Sequence, residues 1–174
     1  MNPMQISGIF LFISLITCVI DAEASAGKTY NFQDTTIITS AKNKKLEWLT
    51  LAEAEAKRTR KKKDILIDLY TDWCGWCKVM DKNTYTNPAV VQYIHDKFYP
   101  VKLNAETKEI LTWRGKQFKY NDQYRVHDYA VLLTGGQLSY PSTVILPVDG
   151  SAPQVIPGYL KPPDMELILK YFGE

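Results

Sequence analysis

The sequence is poor in the features that would point away from an ordinary folded domain. It has three cysteines and two histidines in 174 residues, too few for a disulfide-stapled scaffold and thin for a metal centre. Its net charge is only +2, so the total gives no drive toward nucleic acid or acidic substrates. There is no internal repeat and no low-complexity block. The one long apolar run, Ile6 to Ile20, is shorter than the roughly 20 residues a membrane span needs. What remains is a globular balance, 45% hydrophobic and 23% charged, long enough for one core that needs no structural disulfide or metal.

The apolar run is followed by Ala24-Ser25-Ala26, a small-x-small site, and together they read as a secretory signal cleaved after Ala26. No Lys or Arg precedes the run, so an uncleaved anchor or a buried helix is the plainer alternative. Leu15-Ile16-Thr17-Cys18 also resembles a lipoprotein cleavage box, although Thr17 fits poorly before the cysteine. The expected organisation is a signal peptide over 1–26, a polar linker over 27–44 and one domain over 45–174. Export is the expected localisation, with a lipid-anchored form as the lesser alternative.

Within the domain, Thr50 and Glu53 have capping-box spacing ahead of an alanine-rich helix whose basic end, Lys57 to Lys63, reads as solvated. Ile65 to Tyr70 is a near-continuous apolar run, the pattern of a strand buried on both faces, broken only by Asp68. Asn87-Pro88 predicts a cap and first helical residue for a helix over Ala89–Phe98. Tyr99 to Asn104 predicts a second strand, Trp113-Arg114-Gly115 a turn, and Val126 to Leu133 a helix ending at Gly135-Gly136. Tyr140 to Leu146 leads into another strand, with Asp149-Gly150 as a hairpin turn, Gln154 to Pro157 as the return strand and a last amphipathic helix from Pro162.

Chemistry concentrates at Trp73-Cys74-Gly75-Trp76-Cys77-Lys78. A C-x-x-C pair is also half of a zinc site, but zinc needs two further ligands. His95 and His127 lie far from ligand-pair spacing and read as ordinary surface or helix histidines. A structural bridge over so short a loop gains little chain entropy, so a reactive pair is the better reading. The pair follows a strand and opens a helix, where unpaired N–H groups and the helix dipole favour a thiolate. Cys74 would be the exposed attacking sulfur. Cys77, one turn on and more buried, would resolve the mixed disulfide.

The run Ile65-Leu66-Ile67-Asp68-Leu69-Tyr70-Thr71-Asp72-Trp73-Cys74-Gly75-Trp76-Cys77-Lys78 resembles the strand and active-site loop of the thioredoxin superfamily. The similarity covers about residues 45–174. Within the superfamily it resembles small exported thioredoxin-like proteins and the C-terminal domain of DsbD, through the helix before the first central strand and the passage Lys82 to Pro88. The resemblance implies an α/β thioredoxin fold, a central mixed sheet flanked by helices, and a bacterial periplasmic setting. It implies that Asp68 is the buried acid behind the resolving cysteine and Lys102 its lysine neighbour. It implies that Pro141 is the cis-proline beside the dithiol. Tyr140, Gly158, Trp73, Gly75 and Trp76 would then lie on the substrate-binding face. A desolvated carboxylate has a raised pKa and can take the proton that Cys77 must lose. The blander alternatives are a strand-end acid with a local partner for Asp68, and a trans proline opening a strand for Pro141.

Two features depart from the family pattern. The dipeptide Gly75-Trp76 replaces the Gly-Pro of thioredoxin, which leaves the direction of electron flow open. The stretch between Asn104 and Pro141 is longer by about twenty residues, an insertion before the cis-proline strand. With Trp113, Phe118, Tyr120 and Tyr124 it forms either a lid or partner surface, or a packed excursion over a sheet edge. The expected activity is protein thiol–disulfide exchange, leaning to reduction, with oxidase or isomerase as one rival and a binding or chaperone-like module as another. The redox-active Cys74–Cys77 disulfide is the only carrier implied, with no other cofactor and no metal. Expected partners are disulfide-containing proteins and a membrane-linked electron donor, with no nucleic acid; the chain is expected to be a monomer.

Overall fold

A computed structural model describes residues 45–174; the expected signal peptide, the linker and Cys18 lie outside the described residues. Helix α1 (Leu51–Arg60) opens as its sequence dictates. The Glu53 N–H donates to Thr50 Oγ1 at 3.2 Å, and the Thr50 N–H donates back to Glu53 at 2.8 Å. Strand β1 (Asp64–Tyr70) follows, then α2 (Gly75–Asn83), α3 (Pro88–Lys97) and β2 (Phe98–Asn104). Asn87 caps α3 by accepting from the Ala89 and Val90 N–H groups, with Pro88 at the first helical position. The chain continues through β3 (Leu111–Trp113), β4 (Lys116–Phe118), β5 (Tyr120–Asn121), β6 (Val126–His127) and α4 (Asp128–Thr134). It ends with β7 (Ser142–Leu146), β8 (Gln154–Pro157) and α5 (Pro162–Gly173).

The main sheet has the order β2-β1-β7-β8. Its β1–β2 pair is parallel, whereas β1–β7 and β7–β8 are antiparallel, the mixed sheet the sequence resemblance implied. A single parallel bridge from Leu49 to Val101 extends it beyond β2. The parallel pair needs a crossover, and α2 with α3 supplies it.

The period-2 rule decides where the acid of β1 points. Ile65, Ile67 and Leu69 join one core with Leu51, Ala54, Tyr129 and Leu133, on the side of α1 and α4. Leu66 faces the other core, built from Met80, Val90, Ile94, Met165 and Leu169 of α2, α3 and α5. Asp68 shares the parity of Leu66, so its carboxylate is carried beneath α2. That places it on the face where α2 packs, within reach of Lys102.

Four local expectations change. The predicted helix over Val126–Leu133 yields its first two residues to β6, because Val126 and His127 pair with Asn121 and Tyr120. His127 is fully buried: its Nδ1 accepts from the Tyr129 N–H at 3.1 Å as the cap of α4, and Nε2 lies 3.0 Å from the Glu109 carbonyl. Arg58, read as part of a solvated basic end, sits on the inner face of α1 at helical spacing from Leu51 and Ala54. It donates to the Pro147 carbonyl at 2.7 Å. The β7–β8 connection is not a tight two-residue hairpin; Pro147 to Pro153 intervene, with the Ser151 N–H bonded to Asp149.

The insertion packs down. Arg114 and Gly115 turn β3 into β4, both at positive φ, and the His127 N–H returns to the Ala105 carbonyl at 2.7 Å, closing the excursion where it began. Phe118 is buried in the first core and Trp113 packs against it. Tyr124 stands exposed.

Candidate functional site

β1 ends at Tyr70, a short turn follows, and Cys74 is the N-cap of α2. Its Sγ accepts the Cys77 N–H at 3.1 Å, and its own N–H donates to the Thr71 carbonyl at 3.1 Å. A sulfur in this place does what a serine or aspartate cap does, meeting the positive end of the helix dipole. Cys74 and Cys77 are joined as a disulfide. The expected contrast in burial is not there: in this oxidised form both cysteines are buried, 4% and 3% exposed. The bond draws the first sulfur against the second at the first turn of α2. Trp73 and Trp76, about two-thirds exposed, flank it in sequence.

Each of those indoles packs on a ring from the other side of the cleft. Trp73 meets Tyr140 edge-on at 5.8 Å, and Trp76 stacks on Tyr159 at 5.4 Å. The Tyr140–Pro141 bond is cis. The Gly158 N–H donates to the Pro141 carbonyl at 2.8 Å, and Gly158 has φ +91° with open space where a side chain would start. The structure thus brings Trp73, Gly75, Trp76, Tyr140, Pro141 and Gly158 into one neighbourhood around the dithiol. No sequence spacing shows that; the fold does it.

On the α2 side of β1, Asp68 is 1% exposed and accepts from Lys102 Nζ at 2.8 Å. The two residues are register partners on β1 and β2, so the sheet itself sets the contact. Lys102 also bonds Asp81, and its ammonium lies about 5 Å from the ring centres of Trp48 and Tyr70. Loss of solvent pushes the Asp68 carboxyl up to about 6, with Lys102 pulling against it and Asp81 adding to it. Lys102 is itself held above its ordinary range: desolvation works against its charge, but the two carboxylates outweigh it.

Sequence reasoning missed several residues that the structure places here. Asp81 is one turn of α2 beyond Cys77, and the i, i+4 spacing was a signal available without coordinates. Tyr85 is buried with its ring edge-on to Trp48 at 4.8 Å. Glu106 accepts from the Trp73 indole N–H at 3.0 Å, and Asn104 donates to Asp72 at 3.1 Å. These two bonds tie the active-site turn to the start of the insertion. They join segments more than thirty residues apart, so no local pattern could have disclosed them. Among the described residues no three His, Cys, Asp or Glu side chains converge as a metal site, and no helix is long and apolar enough to cross a membrane.

Comparison with known proteins agrees with this geometry. Residues 47–147 match the thioredoxin-like family. The thiol:disulfide interchange protein DsbD of Escherichia coli (strain K12) is 32% identical over 94 residues, 53% of this chain and 16% of that protein. The chain thus matches only a small part of that relative's length. Among solved structures, a thioredoxin from Thermus thermophilus has a TM-score of 0.53 at 15% identity, over 74% of this chain and 87% of that one. The oxidised C-terminal domain of Neisseria meningitidis DsbD has a TM-score of 0.49 at 21% identity, over 70% of this chain and 90% of that domain. The family match spans more than half the sequence and contains both cysteines, Asp68, Lys102 and Pro141. The chain belongs to the thioredoxin-like family.

Proposed function

We propose that this chain is a thiol–disulfide oxidoreductase that reduces disulfides of exported proteins. The observation that carries the reading is the Cys74–Cys77 pair capping α2 with the Asp68–Lys102–Asp81 cluster on the face where α2 packs. In the reduced form the Cys74 thiolate attacks one sulfur of a substrate disulfide. A mixed disulfide forms and a substrate thiolate leaves. Cys77 then loses its proton to ionised Asp68, and its thiolate attacks Cys74 Sγ. The second substrate sulfur leaves as a thiolate, and Cys74–Cys77 closes as a disulfide. Two electrons pass to the substrate, and the dithiol is the carrier.

The substrate lies across the aromatic floor of Trp73, Trp76 and Tyr140, with Gly75, Pro141 and Gly158 presenting backbone at close approach. Two acids against one lysine near the dithiol disfavour a second negative charge on sulfur. That stabilises the disulfide form over the dithiolate and favours donation of electrons. The absence of histidine from Gly75-Trp76 agrees with this direction. Re-reduction of the Cys74–Cys77 disulfide in each cycle requires a partner dithiol as electron donor, which we assign to a membrane-linked reductase facing the periplasm. We place the chain there as a monomer, exported by its N-terminal signal.

The test is a reduction potential measured against glutathione, together with dithiol-dependent reduction of a model protein disulfide. A potential near thioredoxin's, about −270 mV, with catalysis lost in Cys74→Ala, is expected. A potential near about −120 mV would make the protein an oxidant and refute the direction. Full activity in Cys74→Ala would refute the enzyme reading.

A further inference from the structure

The root of the insertion brings one carboxylate to the rim of the cleft around the dithiol, and the exchange chemistry makes no use of it. Glu106 Oε1 accepts the Trp73 indole N–H at 3.0 Å, and Trp73 meets Tyr140 edge-on across the cleft. Desolvation first and the Glu106 charge second hold the Tyr140 phenol above its ordinary range. The carboxylate therefore lies close to both members of this ring pair. Backbone bonds fix its place. The Glu106 N–H donates to Asn104 Oδ1 at 2.8 Å, and the Ala105 N–H donates to the carbonyl of Tyr70, the last residue of β1, at 2.8 Å. Ala105 is fully buried, and its carbonyl takes the returning His127 N–H.

Glu106 is half-buried, and no lysine or arginine pairs with it among the described residues. Asp72, exposed beside Trp73 and bonded to Asn104 at 3.1 Å, carries the same sign. Lys78, the exposed cation that follows Cys77, belongs to α2 rather than to this rim. A neutral amide oxygen would hold the indole as well as a carboxylate does, so the bond to Trp73 leaves the charge itself unexplained. A fixed charge at the edge of a binding surface discriminates among partners more than it adds affinity.

We propose that Glu106 is a specificity-determining residue, which selects protein substrates whose attacked cysteine is flanked by lysine or arginine and disfavours those with flanking carboxylates. The proposal deepens the reading of the chain as a disulfide reductase and rests on it. A substrate lying across Trp73 and Tyr140 sets its flanking cation against Glu106 as it docks. The pair is partly open to solvent, so its effect is modest, about two- to fivefold in rate. It forms on binding and persists through the reaction, so it falls on KM rather than kcat. Salt screens it.

The experiment uses two synthetic peptide disulfides, identical except for Lys or Glu at both positions flanking the attacked cysteine. The full-length chain reduces them with dithiothreitol as donor, and the rate with dithiothreitol alone is subtracted. Glu106→Gln keeps an acceptor for the indole and removes the charge. The ratio of kcat/KM for the Lys peptide over the Glu peptide is expected to fall by about two- to fivefold in Glu106→Gln, through KM. Comparing this ratio between wild type and variant cancels the intrinsic reactivity of the two peptides. An unmoved ratio, or a change confined to kcat, would overturn the proposal. If Glu106→Gln does not fold, the preference measured in Asp72→Asn decides: one that persists there and fades with added salt supports Glu106. A preference lost with Asp72, or indifferent to salt, overturns it. Failure to reduce either peptide through Cys74 would remove the reductase reading and this proposal with it, whereas reduction of both at a ratio that Glu106→Gln leaves unmoved refutes the proposal alone.

Discussion

Replacing Asp68 by Asn should make the oxidised protein more stable at neutral pH, and the reason is visible in the fold. The Asp68 carboxyl stands at about 6 in the folded chain against 3.8 for a free side chain. The fold holds that proton where the unfolded chain has already released it, so stability falls as pH rises from about 4 to about 6. The displacement is about 2 pH units, and each is worth 1.36 kcal/mol, so ionising Asp68 in place costs the fold about 3 kcal/mol above pH 6. Asn has the same shape and no charge to bury. Part of the gain is returned, because Lys102 then keeps Asp81 but loses its other carboxylate partner. A net stabilisation of about 2 kcal/mol at pH 8 is expected, or about 4–8 °C in Tm for a chain of this length. The assay is urea unfolding of the oxidised wild type and variant at pH 4 and pH 8. Equal stability near pH 4 and a clear gain at pH 8 are expected. A variant less stable than wild type at pH 8, or one gaining equally at both pH values, would refute the reasoning. The same change should slow disulfide exchange on the order of 10²-fold at pH 7.

Other substitutions test separate parts of the account. Lys102→Met removes the cation that restrains Asp68, so the Asp68 midpoint should move further upward and the pH profile of exchange should shift alkaline with it. A profile unchanged from wild type would separate Lys102 from the relay. Gly158→Ala places a side chain at φ +91° and should cost about 1 kcal/mol in urea unfolding; a neutral result would show that the backbone there relaxes freely. His127→Ala removes the cap of α4 and the partner of the Glu109 carbonyl, a loss of about 2–3 kcal/mol by the same measurement. Trp73→Phe keeps an aromatic ring against Tyr140 but loses the bond to Glu106. It should raise KM for a protein disulfide more than it lowers kcat, whereas the reverse pattern would put Trp73 in the chemical step.

The legible parts of this protein were those governed by local rules. The capping box at Thr50, the Asn87-Pro88 start of α3, the buried β1 run and the cysteines at a strand-to-helix junction each declare themselves over a few residues. Asp68 was legible as an anomaly, a carboxylate in an apolar strand, and parity along β1 explains where it points. The insertion was not legible. Its strands are two or three residues long and are held by packing of Trp113 and Phe118 on the α1 side rather than by propensity. His127 failed for a related reason: an isolated histidine carries no sign of burial until the helix it caps is known. The burial of Cys74 was missed because it depends on how α2 begins and on what packs over its first turn, and neither appears in residue spacing.

The central claim is that Cys74 makes covalent bonds to partner sulfurs and Cys77 breaks them. The most direct measurement is expression of the full-length chain with Cys77→Ala, followed by non-reducing electrophoresis and mass spectrometry. Adducts joined through Cys74 that dissolve on reduction, and that vanish when Cys74 is also replaced, are the predicted result. No adducts, or the same adducts without Cys74, would contradict it.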